Sequence, residues 1–483
     1  MNQKLKIVFL TPGTGGWYCG ACMRDNALAK ALQAAGHEVE LLPMYLPLML
    51  DEEVLDSGHA PPVFFGGIRI YLQQKFPWFR HVPACLSRLL NHPRLLRRVA
   101  HHSHMTSARD HGELTLAMLR MNDRRFSNEI DSLIAWLRPL HPDILCLSTA
   151  LQAGMIPALR RHLNVKILCC FQGEDSFLDG LPEPFRDACW RELALRLRDA
   201  DARISPSVFY ANLMRQRLGL GDLAISVLPN GIDLRGYEPL PVKPGPPVIG
   251  FLARLSHEKG LEIMVNAFIH LRTVLGHPNA RLHLAGAATA ENQPLIDSMR
   301  LRLAAAGLTD QVQWQPNLSR EEKTTMLKSL TLFSVPAIYP EAFGLYVIEA
   351  MASGVPVVQP AASSFPEIIA RSGAGVLVPL MNRQPAHAST GVKPHALAEA
   401  WLRSLQEPEK LREMAAASRR AAERFHAVSV MRDGFLELVA SLFVAERNSR
   451  TDTNGANLTG LGEVGGLPSV ISQGGAISES PGL

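Results

Sequence analysis

The sequence predicts an α/β protein built from two Rossmann-like, doubly wound domains that face a cleft. Short apolar segments alternate with amphipathic helical segments as far as about residue 440, a pattern typical of parallel sheets covered by helices. The alternation restarts once, after a proline-rich stretch at 239–247 that is predicted to be a stiff linker. The length of 483 residues fits two or three domains. Ligands of such folds bind at the carboxyl ends of the strands.

The strands of each predicted domain are short apolar runs that precede a helical pattern. In the first domain, residues 1–238, they are expected at 5–10, 39–42, 143–147, 165–171, 202–204 and 225–228. In the second domain, residues 248–428, they are expected at 248–252, 281–285, 330–335, 355–359 and 375–378. The first helix is expected over residues 24–35, ending at Gly36.

Three segments fall outside this alternation. An insertion at 45–125 contains a basic patch, Arg80 to His111, with six Arg and six His against one acidic residue. The patch is interpreted either as a helical lid with a solvated basic face or as a peripheral contact with an anionic membrane or acceptor. A helix at 429–450 is expected to pack back towards the first domain. The tail at 451–483 has eight glycines and no aromatic residue, so it is expected to be disordered.

Composition excludes several classes of protein. A net charge of +4 over a 53.0 kDa chain argues against a general nucleic-acid binder. The longest apolar run, Leu41 to Leu50, has ten residues and two prolines, which is too short and too broken to span a bilayer. The N-terminus lacks the pattern of a signal peptide, and seven cysteines, an odd number, favour a reducing compartment. We therefore expect a cytoplasmic protein, and any peripheral association would be with the inner face of the membrane.

The segment from Pro340 to Val358 carries the strongest chemical signal. It predicts a loop, a helix at about 344–353 and then a buried strand. Glu349 is a carboxylate in an otherwise apolar helix, so it should have polar partners, either ligand hydroxyls or solvent at the helix edge. Glu341 precedes the same helix, whose first amide groups attract phosphate. A ligand with both a sugar and a phosphate would satisfy both features.

These residues resemble a known family. Glu341 and Glu349, with seven residues between them and followed by Ala-Met-Ala-Ser-Gly-Val-Pro-Val-Val, resemble the hallmark of retaining glycosyltransferases of the GT-B fold, family four (glycosyl transferases group 1). Three further segments resemble that family in the expected order. They are the glycine loop at 13–16, the junction at 229–233 and the phosphate-binding segment at 250–260.

The resemblance implies transfer of a sugar, with retention, from a nucleotide diphosphate sugar to a carbohydrate or lipid-linked acceptor in glycan, glycolipid or cell-envelope polysaccharide synthesis. Arg254 and Lys259 would stabilise the leaving diphosphate, unless they form only a weak surface pair with Glu258. Glu349 would bind ribose and Glu341 the donor sugar. Backbone amides near Phe343, Gly344 and Leu345 would help to hold the diphosphate and the sugar. Gly15 and Gly16 lack side chains, which would let the first sheet approach the same phosphates closely. Alanine at Glu349 or Lys259 is expected to lower turnover with the fold intact.

The chain departs from the family after the strand at 165–171. Gln172 stands where the family usually has a histidine. A glutamine amide can orient a sugar hydroxyl but cannot act as a base, which leaves the choice of donor open. Glu174 and Asp175 follow in the same loop and are candidates either for acceptor contacts or for capping the loop.

Two other motifs are weaker. Cys19 and Cys22 form a Cys-x-x-Cys pair. Two packed or free thiols are the preferred interpretation, and a metal or redox site is the alternative, because no second pair has ligand spacing. Asp199 and Asp201 match the two-aspartate pattern of metal-dependent glycosyltransferases but fall at a helix end, where capping is expected. No metal and no cofactor are predicted, since the nucleotide sugar is a substrate.

Two other functions remain open at this point. A sugar-nucleotide epimerase or hydrolase on the same fold would release nucleotide without an acceptor. A catalytically weakened sugar-nucleotide-binding component of an envelope-assembly complex would bind donor and release nothing. The sequence does not predict the base, the sugar, the acceptor or the oligomeric state.

Overall fold

Two parallel sheets of six strands each organise the described part of the chain. The computed structural model describes residues 4–13, 19–48, 50, 52–56, 63–64, 112–121, 124–219, 221, 223–240, 245–381 and 391–455. Residues 1–436 form one unit, which contains both sheets, and residues 437–483 form a second. The α/β architecture with two doubly wound domains is therefore confirmed.

The first domain is a parallel sheet with helices between successive strands. Its strands are β1 (Lys6–Thr11), β2 (Glu38–Pro43), β3 (Ile144–Leu147), β4 (Lys166–Cys170), β5 (Ala202–Ser205) and β6 (Ser226–Val227), in the order β2-β1-β3-β4-β5-β6. Its described helices are α1 (Gly20–Ala34), α2 (Gly112–Arg120), α3 (Arg124–Leu137), α4 (Ile156–His162), α5 (Glu174–Asp179), α6 (Phe185–Leu197) and α7 (Val208–Leu218). The central strands are buried throughout, which explains their continuous apolar runs.

The second domain repeats this arrangement. Its strands are β7 (Val248–Leu252), β8 (Arg281–Gly286), β9 (Val312–Pro316), β10 (Leu332–Phe333), β11 (Val357–Pro360) and β12 (Gly375–Val378), in the order β12-β11-β10-β7-β8-β9. Its described helices are α8 (Leu261–Thr273), α9 (Gln293–Ala305), α10 (Arg320–Lys328), α11 (Leu345–Ala352), α12 (Phe365–Ser372), α13 (Pro394–Gln406) and α14 (Pro408–Phe425). A last helix, α15, spans Val428–Gly455.

Each sheet has a point where the strand order reverses. The chain adds β2 on one side of β1 and then crosses to add β3 on the other side. In the second sheet it adds β8 and β9 on one side of β7 and then places β10 on the other. Loops that leave neighbouring strands at such a point diverge and open a crevice, which is where these folds bind ligands. The loops after β1, β7 and β10 are therefore the ones that matter for function.

The two domains are tied together where the chain crosses between them. The amide of Gly231 donates to Met431 Sδ at 3.2 Å, and the amide of Ile232 donates to the His426 carbonyl at 2.9 Å. A Cβ on Gly231 would lie 2.8 Å from the Ala427 carbonyl oxygen, so only glycine allows this approach. In the next turns of α15, the Phe435 ring lies 6.1 Å from that of Phe9 in β1.

The structure differs from the predicted elements in three respects. Helix α15 continues to Gly455, so residues 451–455, which were predicted to belong to a disordered tail, are helical. Strand β9 was not predicted, because Val312-Gln-Trp-Gln-Pro is a partly exposed edge strand and lacks the apolar run of its neighbours. Helix α1 begins four residues earlier than expected, at Gly20. The basic patch, residues 241–244 of the linker and residues 456–483 of the tail lie outside the described residues. No helix of the described ranges is long and apolar enough to cross a membrane.

Candidate active site

The loop between β7 and α8 carries the predicted cations. Gly260 begins α8 with a φ of +76°, and a Cβ there would lie 1.9 Å from the Pro336 carbonyl oxygen. The loop therefore packs directly against the segment that follows β10, an approach that a side chain would prevent. Ile338 strengthens this contact, because its amide donates to the Glu258 carbonyl at 2.9 Å. Lys259 is thus held beside the loop that contains Glu341.

Lys259 and Glu341 form the centre of a half-buried polar cluster. The Lys259 ammonium lies 2.5 Å from Glu341 Oε2 and 2.5 Å from the Tyr339 hydroxyl. Glu341 Oε2 also accepts hydrogen bonds from Tyr346 at 2.9 Å and from Tyr339 at 3.1 Å. The Lys259 ammonium is 4.8 and 5.1 Å from the centres of the Tyr339 and Tyr346 rings, within the range of a cation–π contact. The structure therefore brings two predicted site residues together.

The cluster keeps both of its ionisable groups charged. Burial works against the Lys259 ammonium, but the Glu341 carboxylate raises its pKa above the ordinary value. Burial likewise opposes ionisation of Glu341, while Lys259 and the two tyrosine hydroxyls hold its pKa below the usual range. Burial and the nearby carboxylate raise the pKa of Tyr339 to about 12, so this tyrosine is a hydrogen-bond donor at neutral pH.

Arg254 lies two residues beyond the end of β7 and is exposed, in the same loop as Lys259. None of the described residues forms a hydrogen bond or ion pair with its guanidinium, so the alternative of a direct surface pair with Glu258 is not found among them. Arg254 thus remains able to bind an anion that enters the crevice.

Glu349 lies on α11, which begins at a glycine with left-handed backbone conformation. Gly344 has a φ of +84°, and Phe343 and Leu345 flank it. The Val347 amide donates to the Gly344 carbonyl at 2.9 Å, whereas the amides of Leu345 and Tyr346, at the start of α11, have no acceptor among the described residues. These amides are available to a phosphate group.

The Glu349 carboxylate is buried and has partners within the protein. Its Oε1 accepts a hydrogen bond from the Tyr237 hydroxyl at 2.8 Å and lies 2.7 Å from the Lys323 ammonium. The side chains of Lys323 and Glu349 are only 5% and 8% exposed, so this is a buried ion pair. The sequence predicted polar partners for Glu349 but assigned them to ligand or solvent. The structure corrects this: one carboxylate oxygen is used internally.

Four supporting side chains were missed by the sequence analysis: Tyr237, Lys323, Tyr339 and Tyr346. A signal existed for the two tyrosines that flank Glu341, since they lie two residues before it and five after it. Tyr237 and Lys323 lie 112 and 26 residues from Glu349 along the chain, so no local pattern joins them. Only the packing of α10 and the domain junction against α11 reveals them.

A cavity between the domains opens beside Glu349. Met23, Arg24, Ala27 and Glu52 line it from the first domain, Arg320, Leu345 and Glu349 line it from the second, and Tyr237 lines it from the junction between them. The cavity therefore lies between α1, which follows β1, and α11. These are the elements next to the two points of strand reversal, where the fold predicts a ligand.

Three polar contacts across the domains close the crevice around this cavity. Arg320 Nη1 lies 3.2 Å from Glu52 Oε2. The Ser207 hydroxyl donates to the Ala342 carbonyl at 2.6 Å, next to Glu341. Glu367 accepts from the amides of Val208 and Phe209, at 3.0 and 3.2 Å, at the N-terminus of α7. A carboxylate is favourable there because it satisfies amides without helical partners.

The loop after β4 lies close to this junction, but its acidic residues are occupied. Glu174 accepts hydrogen bonds from Thr149 Oγ1 at 2.7 Å and from the amides of Ala150 and Gln172, each at 2.8 Å. The structure therefore places Glu174 in the loop-capping arrangement, and an acceptor contact would require these bonds to break. Gln172 is half-buried, and its side-chain amide has no partner among the described residues.

Asp175 is also buried, with Oδ1 2.8 Å from the Tyr210 hydroxyl. Burial raises the pKa of Asp175 from 3.8 to about 6. Between these values the folded protein binds more protons at this site than the unfolded chain. The free energy of unfolding should therefore fall as pH rises through about 6, by up to about 3 kcal/mol from this group.

When the pH is raised from 4.5 to 7, the free energy of unfolding should fall less in Asp175→Asn than in the wild type. Urea unfolding at the two pH values measures it, and Asp131→Asn, at an exposed position, should keep the wild-type difference. The same pH difference in Asp175→Asn and the wild type would contradict the assignment.

Three further candidates from the sequence are Gly15, Gly16 and Asp201. Gly15 and Gly16 lie outside the described residues. Asp201 Oδ2 accepts from Arg160 Nη2 at 2.7 Å and from the Ile167 amide at 2.8 Å, which is a structural role. Within the described ranges, no group of three or more His, Cys, Asp or Glu side chains is arranged to hold a metal ion.

Comparison with known families agrees with this geometry. Residues 238–421 match the family described as glycosyl transferases group 1, and residues 106–235 match glycosyltransferase family 4. The two matches fall on the second and first domains and together include every described site residue of the second domain, while Tyr237, at the junction, lies between them. The chain belongs to the family-four, group 1 glycosyltransferases of the GT-B fold.

Curated relatives match over part of their length. The chain is 29% identical over 168 residues to D-inositol 3-phosphate glycosyltransferase of Mycolicibacterium smegmatis, which covers 32% of this chain and 37% of that protein. It is 30% identical over 161 residues to the lipopolysaccharide core biosynthesis mannosyltransferase LpsB of Rhizobium meliloti, with 31% and 44% covered. The matched stretch thus spans less than half of each of these relatives.

Solved structures share the fold over nearly the whole chain. Sucrose-phosphate synthase from Thermosynechococcus elongatus superposes with a TM-score of 0.66 at 17% identity, covering 92% of this chain and all of that one. HepE from Anabaena, solved with UDP, gives 0.60 at 18% identity, covering 90% of this chain and all of that one. At these identities the similarity establishes the GT-B fold.

Proposed function

We propose that this glycosyltransferase moves a sugar from a nucleoside diphosphate sugar to a carbohydrate or lipid-linked acceptor, with retention at the anomeric carbon. The observation that carries the proposal is the pairing of Lys259 with Glu341 in the crevice where Glu349 lines the cavity between the domains. Cations suit a diphosphate and carboxylates suit sugar hydroxyls.

Each part of the donor has a matching group in this proposal. Lys259 and Arg254 bind the diphosphate together with the amide groups at the start of α11. Glu341 accepts hydrogen bonds from the donor sugar while Tyr339 and Tyr346 hold it in place. Glu349 uses the oxygen that is not bound by Tyr237 and Lys323 to accept from ribose hydroxyls.

The proposed reaction proceeds on one face of the sugar. The bond between the anomeric carbon and the diphosphate breaks, and its electron pair passes to the leaving phosphate oxygen. Lys259 and Arg254 stabilise the charge that develops there. The acceptor hydroxyl forms the new bond on the same face, and its proton passes to the leaving phosphate. Gln172 can orient the acceptor or the donor sugar in this scheme but takes no proton.

The choice of acceptor draws on the curated relatives. Their names describe transfer to an inositol phosphate and to the core of lipopolysaccharide. We infer an acceptor with free hydroxyl groups from glycan, glycolipid or envelope polysaccharide synthesis. In this proposal Asp175, in the loop after β4, is the candidate for an acceptor contact, and that contact would require its hydrogen bond with the Tyr210 hydroxyl to break.

A panel of UDP-, GDP- and ADP-sugars tests the proposal, with and without carbohydrate and lipid-linked acceptors. The expected result is release of one nucleoside diphosphate that depends on an acceptor, and a product whose anomeric proton coupling matches that of the donor. Release without any acceptor would instead indicate a hydrolase or epimerase. Donor binding with no release across the panel would indicate a binding component.

A chelator should leave this activity unchanged. In the proposed scheme Lys259 and Arg254 supply the positive charge at the diphosphate, which a metal ion supplies in other transferases. The measurement is the rate of nucleoside diphosphate release before and after EDTA treatment, followed by addition of Mg²⁺ or Mn²⁺. Loss of activity with EDTA and recovery with either ion would contradict the metal-free scheme.

A further inference from the structure

Two cysteines lie at the start of α1, in a position that the glycosyl transfer scheme does not use. Cys19 is the N-cap residue of α1, and its Sγ accepts a hydrogen bond from the Cys22 amide at 3.3 Å. The Cys22 thiol donates to Cys19 Sγ, with the two sulfur atoms 2.7 Å apart. The Cys-x-x-Cys spacing thus places both sulfurs together at a helix N-terminus, an arrangement that activates one thiol of a pair.

The two thiols differ from each other and from the other described cysteines. Cys19 is partly exposed, whereas Cys22 is buried. The remaining described cysteines, Cys146, Cys169, Cys170 and Cys189, are free and buried. The hydrogen bond from Cys22 lowers the pKa of Cys19, while the same bond and burial raise the pKa of Cys22. Cys19 is therefore the thiol that becomes a nucleophile first, and solvent can reach it.

The pair adjoins the cavity between the domains. Gly20 follows Cys19, and a Cβ on it would lie 3.6 Å from Leu345 Cδ1, at the start of α11. Met23 and Arg24 follow Cys22 directly and line the cavity. A covalent change at the sulfurs would alter the turn of α1 that contacts the donor-side helix.

We propose that Cys19 and Cys22 form a reversible dithiol–disulfide centre that exchanges with low-molecular-weight disulfides such as glutathione disulfide. The Cys19 thiolate attacks one sulfur of glutathione disulfide, forms a mixed disulfide and releases one glutathione thiolate. The Cys22 thiolate then attacks Cys19 Sγ and releases the second. Two cysteine thiols are oxidised, one glutathione disulfide is reduced to two glutathione thiols, and the two cysteine protons pass to them.

Peptide mapping of the full chain tests the disulfide. The protein is equilibrated with mixtures of reduced and oxidised glutathione, quenched with acid, alkylated with N-ethylmaleimide and digested with trypsin. The tryptic peptide Ile7–Arg24 contains Cys19 and Cys22 and no other cysteine. Under reducing conditions we expect this peptide to carry two alkyl groups. Under oxidising conditions we expect it to carry no alkyl group and to have a mass lower by two hydrogen atoms than the unalkylated dithiol peptide. A doubly alkylated peptide even in pure glutathione disulfide would overturn the proposal.

Single variants assign the roles of the two thiols. In Cys22→Ser the exposed Cys19 should accumulate as a mixed disulfide with glutathione, whereas Cys19→Ser should leave Cys22 unmodified. Cys189→Ser is the control and should give the wild-type result. A mixed disulfide that persists at Cys19 in the wild type would overturn the proposal, and this measurement needs no variant to fold.

The effect on turnover rests on the proposed function and is measured separately. We expect the oxidised protein to release nucleoside diphosphate more slowly and dithiothreitol to restore the rate, with Cys19→Ser insensitive to both. Equal rates in the two redox states would overturn the coupling to α11. Absence of turnover in both states would contradict the proposed function, while the peptide result would still decide whether the disulfide forms.

Discussion

Replacing Lys259 with methionine is expected to lower the rate of nucleoside diphosphate release by about 10²–10³-fold, the usual effect of removing one group that stabilises developing negative charge. Methionine keeps much of the side-chain volume but removes the ammonium that lies 2.5 Å from Glu341. The Glu341 carboxylate keeps its two tyrosine donors, so the loop should stay in place. The loss should therefore appear in the rate at saturating donor.

Steady-state release of nucleoside diphosphate measures this effect, and urea unfolding measures stability in parallel. Lys410→Met is the matched control, because Lys410 is an exposed lysine of the same domain that pairs with the exposed Glu407. It should keep the wild-type rate. A wild-type rate in Lys259→Met would remove Lys259 from the catalytic machinery.

Replacing Glu349 with glutamine is expected to lower kcat/KM for the donor by roughly ten- to hundredfold, the value of a hydrogen bond to a charged group. The variant should also be less stable. It leaves the buried Lys323 ammonium facing a neutral amide, and breaking a buried ion pair costs about 3–5 kcal/mol. The expectation from sequence, that alanine here would leave the fold intact, is therefore revised by the structure.

The double variant Glu349→Gln, Lys323→Met separates the two effects. Methionine removes the buried charge, so most of the lost free energy of unfolding should return, while donor affinity should remain low. Glu399→Gln, at an exposed pair with Arg403, is the control for both measurements. Recovery of donor affinity in the double variant would show that Glu349 acts only through stability.

The positions of most strands along the chain were predictable because these strands are short apolar runs. Val248–Leu252, inside its sheet, was predicted with the observed bounds, since an apolar run flanked by loops is typical of a central strand. Gly375–Val378 was also predicted with the observed bounds because it is an apolar run, although it is an edge strand in which only Val378 is buried. The edge strand at Val312–Pro316 was missed, because glutamines alternate with its apolar residues and it lacks a second neighbour to bury it. An uninterrupted apolar run, whether at the centre or at the edge of the sheet, therefore decides which strands a sequence reveals.

The site was predictable only where its residues are close in sequence. Glu341 and Glu349 lie on one loop and helix, and Lys259 lies in a loop beside a predicted strand. The partners that hold these groups come from distant elements, as Tyr237 does for Glu349 across 112 residues. The pairing of Lys259 with Glu341 likewise spans 82 residues.

The sequence by itself determined the two doubly wound domains, the glycosyltransferase family and the principal charged residues of the crevice, because local periodicity and short motifs encode them. The tertiary structure alone decided which charges neutralise one another. It paired Glu349 with Lys323 and Lys259 with Glu341, since a buried charge needs a partner within about 4 Å and only packing brings such groups together. It also placed the Cys19 and Cys22 sulfurs in contact, which the Cys-x-x-Cys spacing permitted but did not require.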